Sequence, residues 1–188
     1  MTVQEHTPRL SALVVAHNEE AQLADCLDAL RFADEIVVVL DRCDDASEEI
    51  ARAHGARVEA GAWEIEGARR NHGIELCDGD WILEVDADER VTAELAQDIR
   101  ATIAEAPYGH FLVPFHNYVG ERLVEFGWGA AWGVSATVRL FANDPALGPA
   151  KIWGEQRIHP ALELKGASGR LTAPMVHYVD RNISDMIQ

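Results

Sequence analysis

Short apolar runs alternate with helical spacings through the first half of the chain. Residues 10–18, "LSALVVAHN", form a β-branched run that predicts a buried strand. Leu23, Cys26, Leu27 and Leu30 then recur at i, i+3, i+4 and i+7, one apolar helix face. Asn18 is the expected cap of that helix, with Glu19 and Glu20 in its first turn. "EIVVVLD" (35–41) predicts a second buried strand, and Asp45 with Glu48 forms a capping box for a helix over 45–54 that stops at Gly55. "ARVEA" is a shorter third strand, and 65–77 reads as a helix weakened by Gly67 and Gly73. "DWILEVD" (80–86) is a fourth strand, after which Thr92 opens a helix with Leu95, Ile99 and Ile103 on one face, ending before Pro107.

Strands alternating with helices predict an α/β layer with a largely parallel sheet. Ligands of such sheets bind beyond the carboxyl ends of the strands. Here those ends read "AHNEE", "LDRCDD" and "VDADE", all polar, which predicts one shared site. After residue 108 the pattern changes: "HFLVPFHNYVG" and "VSATVRLFAND" look like strands, joined by the Gly- and Trp-rich "GWGAAWG". No repeat or low-complexity linker divides the chain, so 1–188 reads as one domain with a division of roles between 1–107 and 108–188.

Composition narrows the class. The chain has 188 residues, 48% of them apolar, which suits a globular domain with a real core. No apolar run reaches the roughly 18 residues that span a bilayer, and "MTVQEHTPRL" lacks the pattern of a signal peptide. Cys26, Cys43 and Cys77 lack metal-type spacing, so reduced thiols in the cytoplasm are expected. The formal charge of −16 argues against a nucleic-acid partner. An anionic small substrate would need a cation, arginines or a helix N-terminus. The last residues, "HYVDRNISDMIQ", read as a helix opening cut short, so a C-terminal segment is expected to be missing.

The stretch Leu83–Arg90, "LEVDADER", packs four carboxylates into eight residues at a strand end, where they repel and are costly to desolvate. If the chain stays extended, Leu83, Val85 and Ala87 face the core while Glu84, Asp86 and Asp88 face the other way. Asp86 and Asp88 can then hold a divalent cation. Oxygen ligands favour Mg²⁺ or Mn²⁺, completed by waters and substrate phosphates. Glu89 and Arg90 are expected to lead into the next helix.

The ordered motifs carry a resemblance. "LSALVVAHNEEAQLADCLDAL", "ADEIVVVLDRCDDASEEIARAHGARV" and "GARRNHGIELCDGDWILEVDADERVTAEL" resemble the first units of the family 2 glycosyltransferases, more narrowly the bacterial lipopolysaccharide-core type. "VRLF", "RIHP" and "VHY" fall where that family has R-L-F, an H-containing strand end and a late histidine. The resemblance implies a GT-A (Rossmann-like) fold. It makes 1–107 the nucleotide-sugar half and 108–188 the acceptor side, with a divalent metal, a nucleotide-sugar donor (UDP-sugar by default) and a glycolipid or polysaccharide-precursor acceptor. By position, Ala16, His17 and Glu19 would line the nucleobase pocket and Asp41 would accept from base or ribose. Arg70 and Asn71 would sit near the donor. Asp86 and Ala87 would meet the ribose or metal, Asp88 would be the principal metal ligand, and His177 would add a further metal or phosphate contact. The family inverts the anomeric centre by direct displacement, acting at the cytoplasmic face of the membrane, with peripheral association compatible.

The base departs from the pattern. An acidic residue commonly follows the strand-end histidine, but Pro160 follows His159. Glu155 is the favoured base, then His159, with Glu125 and Glu163 behind them. Arg69 is read as a surface ion pair, Cys43 as packing, and Trp128 and Trp132 as either core or a sugar platform. Two other functions fit the residues: a nucleotidyltransferase acting on a sugar phosphate, although "AHNEEAQL" lacks the Gly-rich basic loop, and a non-catalytic nucleotide-binding fragment.

Overall fold

The computed structural model describes residues 7–124, 135–157 and 160–180. Strand β1 (Leu10–Ala16) leads to helix α1 (Leu23–Ala29), β2 (Glu35–Asp41) to α2 (Ser47–Ala53), and β3 (Arg57–Gly61) to α3 (Glu66–Glu75). Strand β4 (Trp81–Val85) is followed by the short β5 (Glu89–Arg90) and by α4 (Ala93–Glu105). The second half is strands: β6 (Gly109–Val119), β7 (Arg122–Leu123), β8 (Ala136–Asp144), β9 (Gly148–Pro149), β10 (Lys151–Trp153), β11 (Leu162–Leu164), β12 (Ala167–Arg170) and β13 (Met175–Asp180).

The main sheet runs in the order β3-β2-β1-β4-β8-β6-β13-β5. Strands β3, β2, β1 and β4 are parallel, as the alternation with helices requires. Strand β8 then joins β4 antiparallel, and β6 joins β8 antiparallel. Beyond them β13 lies parallel to β6, and β5 closes the edge antiparallel to β13. The sheet is therefore mixed, its parallel part confined to the first half. Every residue of β1 and β4 is buried, which explains their mostly apolar runs, interrupted by the buried Ser11 and Glu84. The register Ala16↔Leu40 and Val14↔Val85 brings the carboxyl ends of β1, β2 and β4 to one edge. None of the described helices is long and apolar enough to cross a membrane.

The two glycines of α3 let it lie close to its neighbours. A Cβ on Gly73 would stand 2.7 Å from Leu13 Cδ1, and one on Gly67 would meet the Gly154 carbonyl oxygen at 1.9 Å. The helix is thus wedged between β1 and the segment after β10, which joins the two halves.

Several local expectations are revised. Asn18, at φ 54°, does not cap α1; its side chain exchanges hydrogen bonds with Asp44 across the strand ends. The capping box at α2 is replaced by crossed contacts: Asp45 accepts from the Ser47 and Glu20 amides, and Glu20 accepts from the Ala46 amide. Gly55, at φ 78°, follows α2 as expected. Strand β4 ends at Val85, and Asp86 to Glu89 form a turn closed by the Glu89 amide on the Asp86 carbonyl at 3.0 Å. Period-two alternation therefore stops before Asp86. Glu89 and Arg90 do not open α4 but form β5, opposite His177 and Val176.

Candidate active site

A cleft of about 350 Å³ opens at the shared strand edge. Val15, His17 and Glu19 line it from the end of β1, and Asp86 to Glu89 from the turn after β4. Arg69 of α3, Phe115 of β6, Thr137 and Arg139 of β8, and His177 of β13 complete it. The ends of β1 and β4 meet there as expected, the end of β2 reaches it only through contacts of Asp41 with His17 and Arg69, and the second half contributes four side chains.

Beneath the cleft lies a buried ion network. Glu84 is fully buried; it accepts from Arg70 at 2.8 Å and from the Trp153 indole at 3.1 Å, and it pairs with Lys151. Asp86 accepts from Arg70 at 3.0 Å on one oxygen and from Arg139 on the other. Glu89 takes Arg139 on one oxygen and the Asp86 amide at 2.9 Å on the other. Burial disfavours ionised Glu84, yet Lys151 and Arg70 outweigh it and hold the carboxyl down at about 2. Asp86 is likewise held ionised: burial opposes it, and Arg139 and Arg70 prevail. Glu89 goes the other way, pushed up to about 7 by burial and the neighbouring Asp86 charge, despite Arg139. Neither Asp86 nor Arg70 is a free donor-side group in this arrangement. Asp86 anchors two guanidiniums, and Arg70 is spent on Glu66, Glu84 and Asp86.

Asp41 forms a second corner. Its oxygens accept from the Trp63 amide at 3.0 Å, Arg42 at 2.9 Å and Arg69 at 3.0 Å. Burial works against its charge, but those donors keep the carboxyl below its usual range. His17 Nδ1 lies 2.6 Å from the Asp41 carbonyl oxygen, and Glu19 accepts from Gln22 at 3.0 Å. Ala16 is buried at the end of β1 and Ala87 is buried within the turn. Arg69, expected on the surface, is drawn into the cleft by Asp41, with 17% of its side chain exposed. Cys43 packs as expected, its thiol pushed up by burial. Two cations at the cleft keep unused donors: the buried Nε atoms of Arg69 and Arg139 have no partner.

Asp88 and His177 carry the metal question. His177 Nδ1 is 2.9 Å from Asn117 Oδ1, and Nε2 faces Asp88 Oδ2 at 3.3 Å. Burial alone would lower the His177 pKa, but the hydrogen bond and charge of Asp88 raise it overall. A carboxylate and an imidazole oriented from behind suit Mn²⁺ or Mg²⁺ with diphosphate oxygens completing the shell. Among the described residues no three His, Cys, Asp or Glu side chains gather as a metal cluster.

The remaining expected residues lie elsewhere. Asn71 clips α3 to β10 through the Trp153 amide and carbonyl, at 2.9 and 2.8 Å. Glu155 is exposed after β10, outside the residues that line the cleft, and Glu163 is exposed on β11 beside Lys165. His159, Glu125, Trp128 and Trp132 lie outside the described residues. Arg139 and Lys151 went unassigned by sequence reasoning, although a cation inside "TVRLF" and another in "PAKIW" signal buried partners.

A family model described as "Glycosyl transferase family 2" matches residues 11–128. An "Uncharacterized glycosyltransferase" of Rickettsia bellii is 30% identical over 107 residues, 56% of this chain and 36% of that relative. "Lipopolysaccharide core biosynthesis glycosyltransferase LpsC" of Rhizobium meliloti is 28% identical over 96 residues, 47% of this chain and 34% of that one. The matched region thus spans about a third of those relatives' length. Among solved structures, S. aureus TarS in complex with UDP-GlcNAc is similar at a TM-score of 0.52 and 23% identity, covering 61% of this chain and 36% of TarS. That likeness establishes the GT-A fold.

Proposed function

We propose, from the premise that this chain belongs to glycosyl transferase family 2, that it moves a sugar from a nucleoside diphosphate sugar to an acceptor hydroxyl. A UDP-sugar is the favoured donor, and a glycolipid or polysaccharide precursor at the inner membrane face is the favoured acceptor. The observation that carries the reading is that Arg69 and Arg139, each with a buried guanidinium Nε that has no partner among the described residues, line the same strand-edge cleft as Glu19, Asp86, Asp88 and Glu89. A dianionic diphosphate fits that combination, and the complex of TarS with UDP-GlcNAc and the name of LpsC support the donor and acceptor classes.

The chemistry assigned to this chain's residues is positional and electrostatic. Arg69 and Arg139 offset the charge that grows on the leaving diphosphate. His17 and Glu19 border the nucleobase. A divalent cation held by Asp88 and His177 would add Lewis-acid stabilisation of that leaving group. The acceptor oxygen bonds to the anomeric carbon as the carbon–diphosphate oxygen bond breaks, which inverts the centre without a protein nucleophile. The acceptor proton goes to a carboxylate or imidazole, for which Glu155 and His159 are the candidates. Glu155 has no partner among the described residues, so its carboxylate is available where those of Glu84, Asp86 and Glu89 are not. With donor and metal saturating, Glu155→Gln should lower kcat by about 10²-fold, the smaller end of general-base effects; unchanged turnover removes it.

Calorimetry with UDP and a panel of UDP-sugars, with and without Mn²⁺, tests the whole reading. Micromolar, Mn²⁺-dependent binding is expected. Binding only of a nucleoside triphosphate with a sugar phosphate, or of no nucleotide at all, would overturn it.

A further inference from the structure

We propose that Arg90 is a positioning residue for the Asp86–Glu89 turn, acting on the donor site without touching the donor. The inference rests on the nucleotide-sugar reading above for its functional consequence, and on hydrogen bonding alone for its mechanism. Strand β5 has two faces. Glu89 is turned into the cleft and Arg90 away from it, just as His177 is turned in and Tyr178 away on the partnering β13. Sequence spacing had sent Arg90 into the next helix. Instead its guanidinium forks back under the turn.

One Nη donates to the Ala87 carbonyl at 2.7 Å and the Glu89 carbonyl at 2.8 Å; the other donates to the Gln22 carbonyl at 3.0 Å. The group is held at a ring face, 5.7 Å from the Tyr178 centroid, with 15% of the side chain exposed. The other carbonyls of the turn are met by backbone: Asp86 by the Glu89 amide and Asp88 by the Tyr178 amide, each at 3.0 Å. Arg90 is thus what satisfies the Ala87 carbonyl, between the two aspartates. It also ties the turn to the segment after β1, where Glu19 enters the cleft and the Glu19 carbonyl accepts from the Gln22 and Leu23 amides.

The planar fork explains why arginine stands here. A lysine keeps the charge but cannot span carbonyls on two separate segments in one plane. Loss of the fork frees the turn that sets the direction of Asp88, and small misplacements of such groups are expensive in binding and rate.

The test compares Arg90→Lys and Arg90→Met with Arg100→Gln. Arg100 makes an analogous clamp, to Asp34 at 2.8 Å and to the Phe32 carbonyl, none of which lines the cleft. The readouts are amide hydrogen exchange at Asp86 and Glu89 without ligand, Mn²⁺-dependent UDP affinity, and thermal midpoint. Arg90→Lys should speed exchange at those two amides at least tenfold and raise the UDP Kd at least tenfold. Arg100→Gln should lower the midpoint without moving either. Exchange at wild-type rates in Arg90→Lys, or faster exchange with UDP affinity within twofold, overturns the proposal. So does failure of both Arg90 variants to fold, which would make the residue purely structural. If wild-type protein binds no UDP with Mn²⁺, the donor reading fails by itself, and the exchange rates still decide whether Arg90 holds the turn.

Discussion

Replacing Lys151 by methionine should be among the most damaging single changes available in this chain. Lys151 is 1% exposed, and its ammonium meets the Glu84 carboxylate and, at 2.8 Å, the Val138 carbonyl. It also lies 4.5 Å from the Trp153 ring centroid and 5.6 Å from that of Phe141. In the buried network Arg70, Arg139 and Lys151 hold Glu84 and Asp86 ionised, while Glu89 beside Arg139 is pushed up to about 7 and Arg70 also meets Glu66. Methionine fills the lysine stem, so little apolar packing is lost; what goes is the charge. Removing one partner of a buried pair leaves an uncompensated charge and costs about 3–5 kcal/mol. The orphaned carbonyl adds about 1 kcal/mol or more. Against a whole-domain stability of about 5–15 kcal/mol, that is a large share. The double variant Glu84→Gln/Lys151→Met removes one charge of each sign from the same buried pair and should recover about 2 kcal/mol relative to the sum of the single changes. Urea unfolding followed by tryptophan fluorescence measures all three variants by linear extrapolation. A Lys151→Met loss below about 1 kcal/mol, or strict additivity in the double variant, would refute the picture of a buried ion network rather than a solvated lysine.

Other outcomes follow from the same contacts. Asp88→Ala should abolish Mn²⁺-dependent UDP binding by calorimetry while leaving the circular dichroism spectrum unchanged; retained affinity would remove Asp88 from the metal pair. Because the Glu84 pKa falls from 4.5 to about 2 on folding, the unfolded chain takes up that proton first. The stability it contributes is therefore fully present above pH 4.5 and is lost as pH falls toward 2. Acid unfolding of Glu84→Gln should accordingly show a shallower dependence over that window than wild type. Gly73→Ala places a Cβ 2.7 Å from Leu13 Cδ1 and should cost about 1–3 kcal/mol by overpacking, read as a lowered thermal midpoint.

Local pattern carried the first half of the fold. The mostly apolar runs at β1, β2 and β4 and the helix face of Leu23, Cys26, Leu27 and Leu30 were legible because burial on both sides of a parallel sheet imposes them directly on composition. The meeting of "AHNEE" and "VDADE" at one cleft was equally legible, since parallel strands present their carboxyl ends at one edge, whereas "LDRCDD" stands beside the cleft and does not line it. The ordered motifs identified the family. What period two could not reach was the backbone after Val85, where extended geometry gives way to a turn and the alternation of faces ceases to apply.

The sequence by itself determined the α/β class, the edge where ligands meet the sheet, and the residue types available there. Only the tertiary structure decided which charges face the cleft and which face each other. Arg69 and Arg70 are adjacent on one helix, yet Asp41 draws the first into the cleft and Glu84 draws the second beneath it. Arg139 and Lys151 reach the network from far along the chain because β8 and β10 return to β4 and α3. Charge pairing in a low-dielectric interior depends on distance through space rather than along the chain, so its partners are settled by the fold.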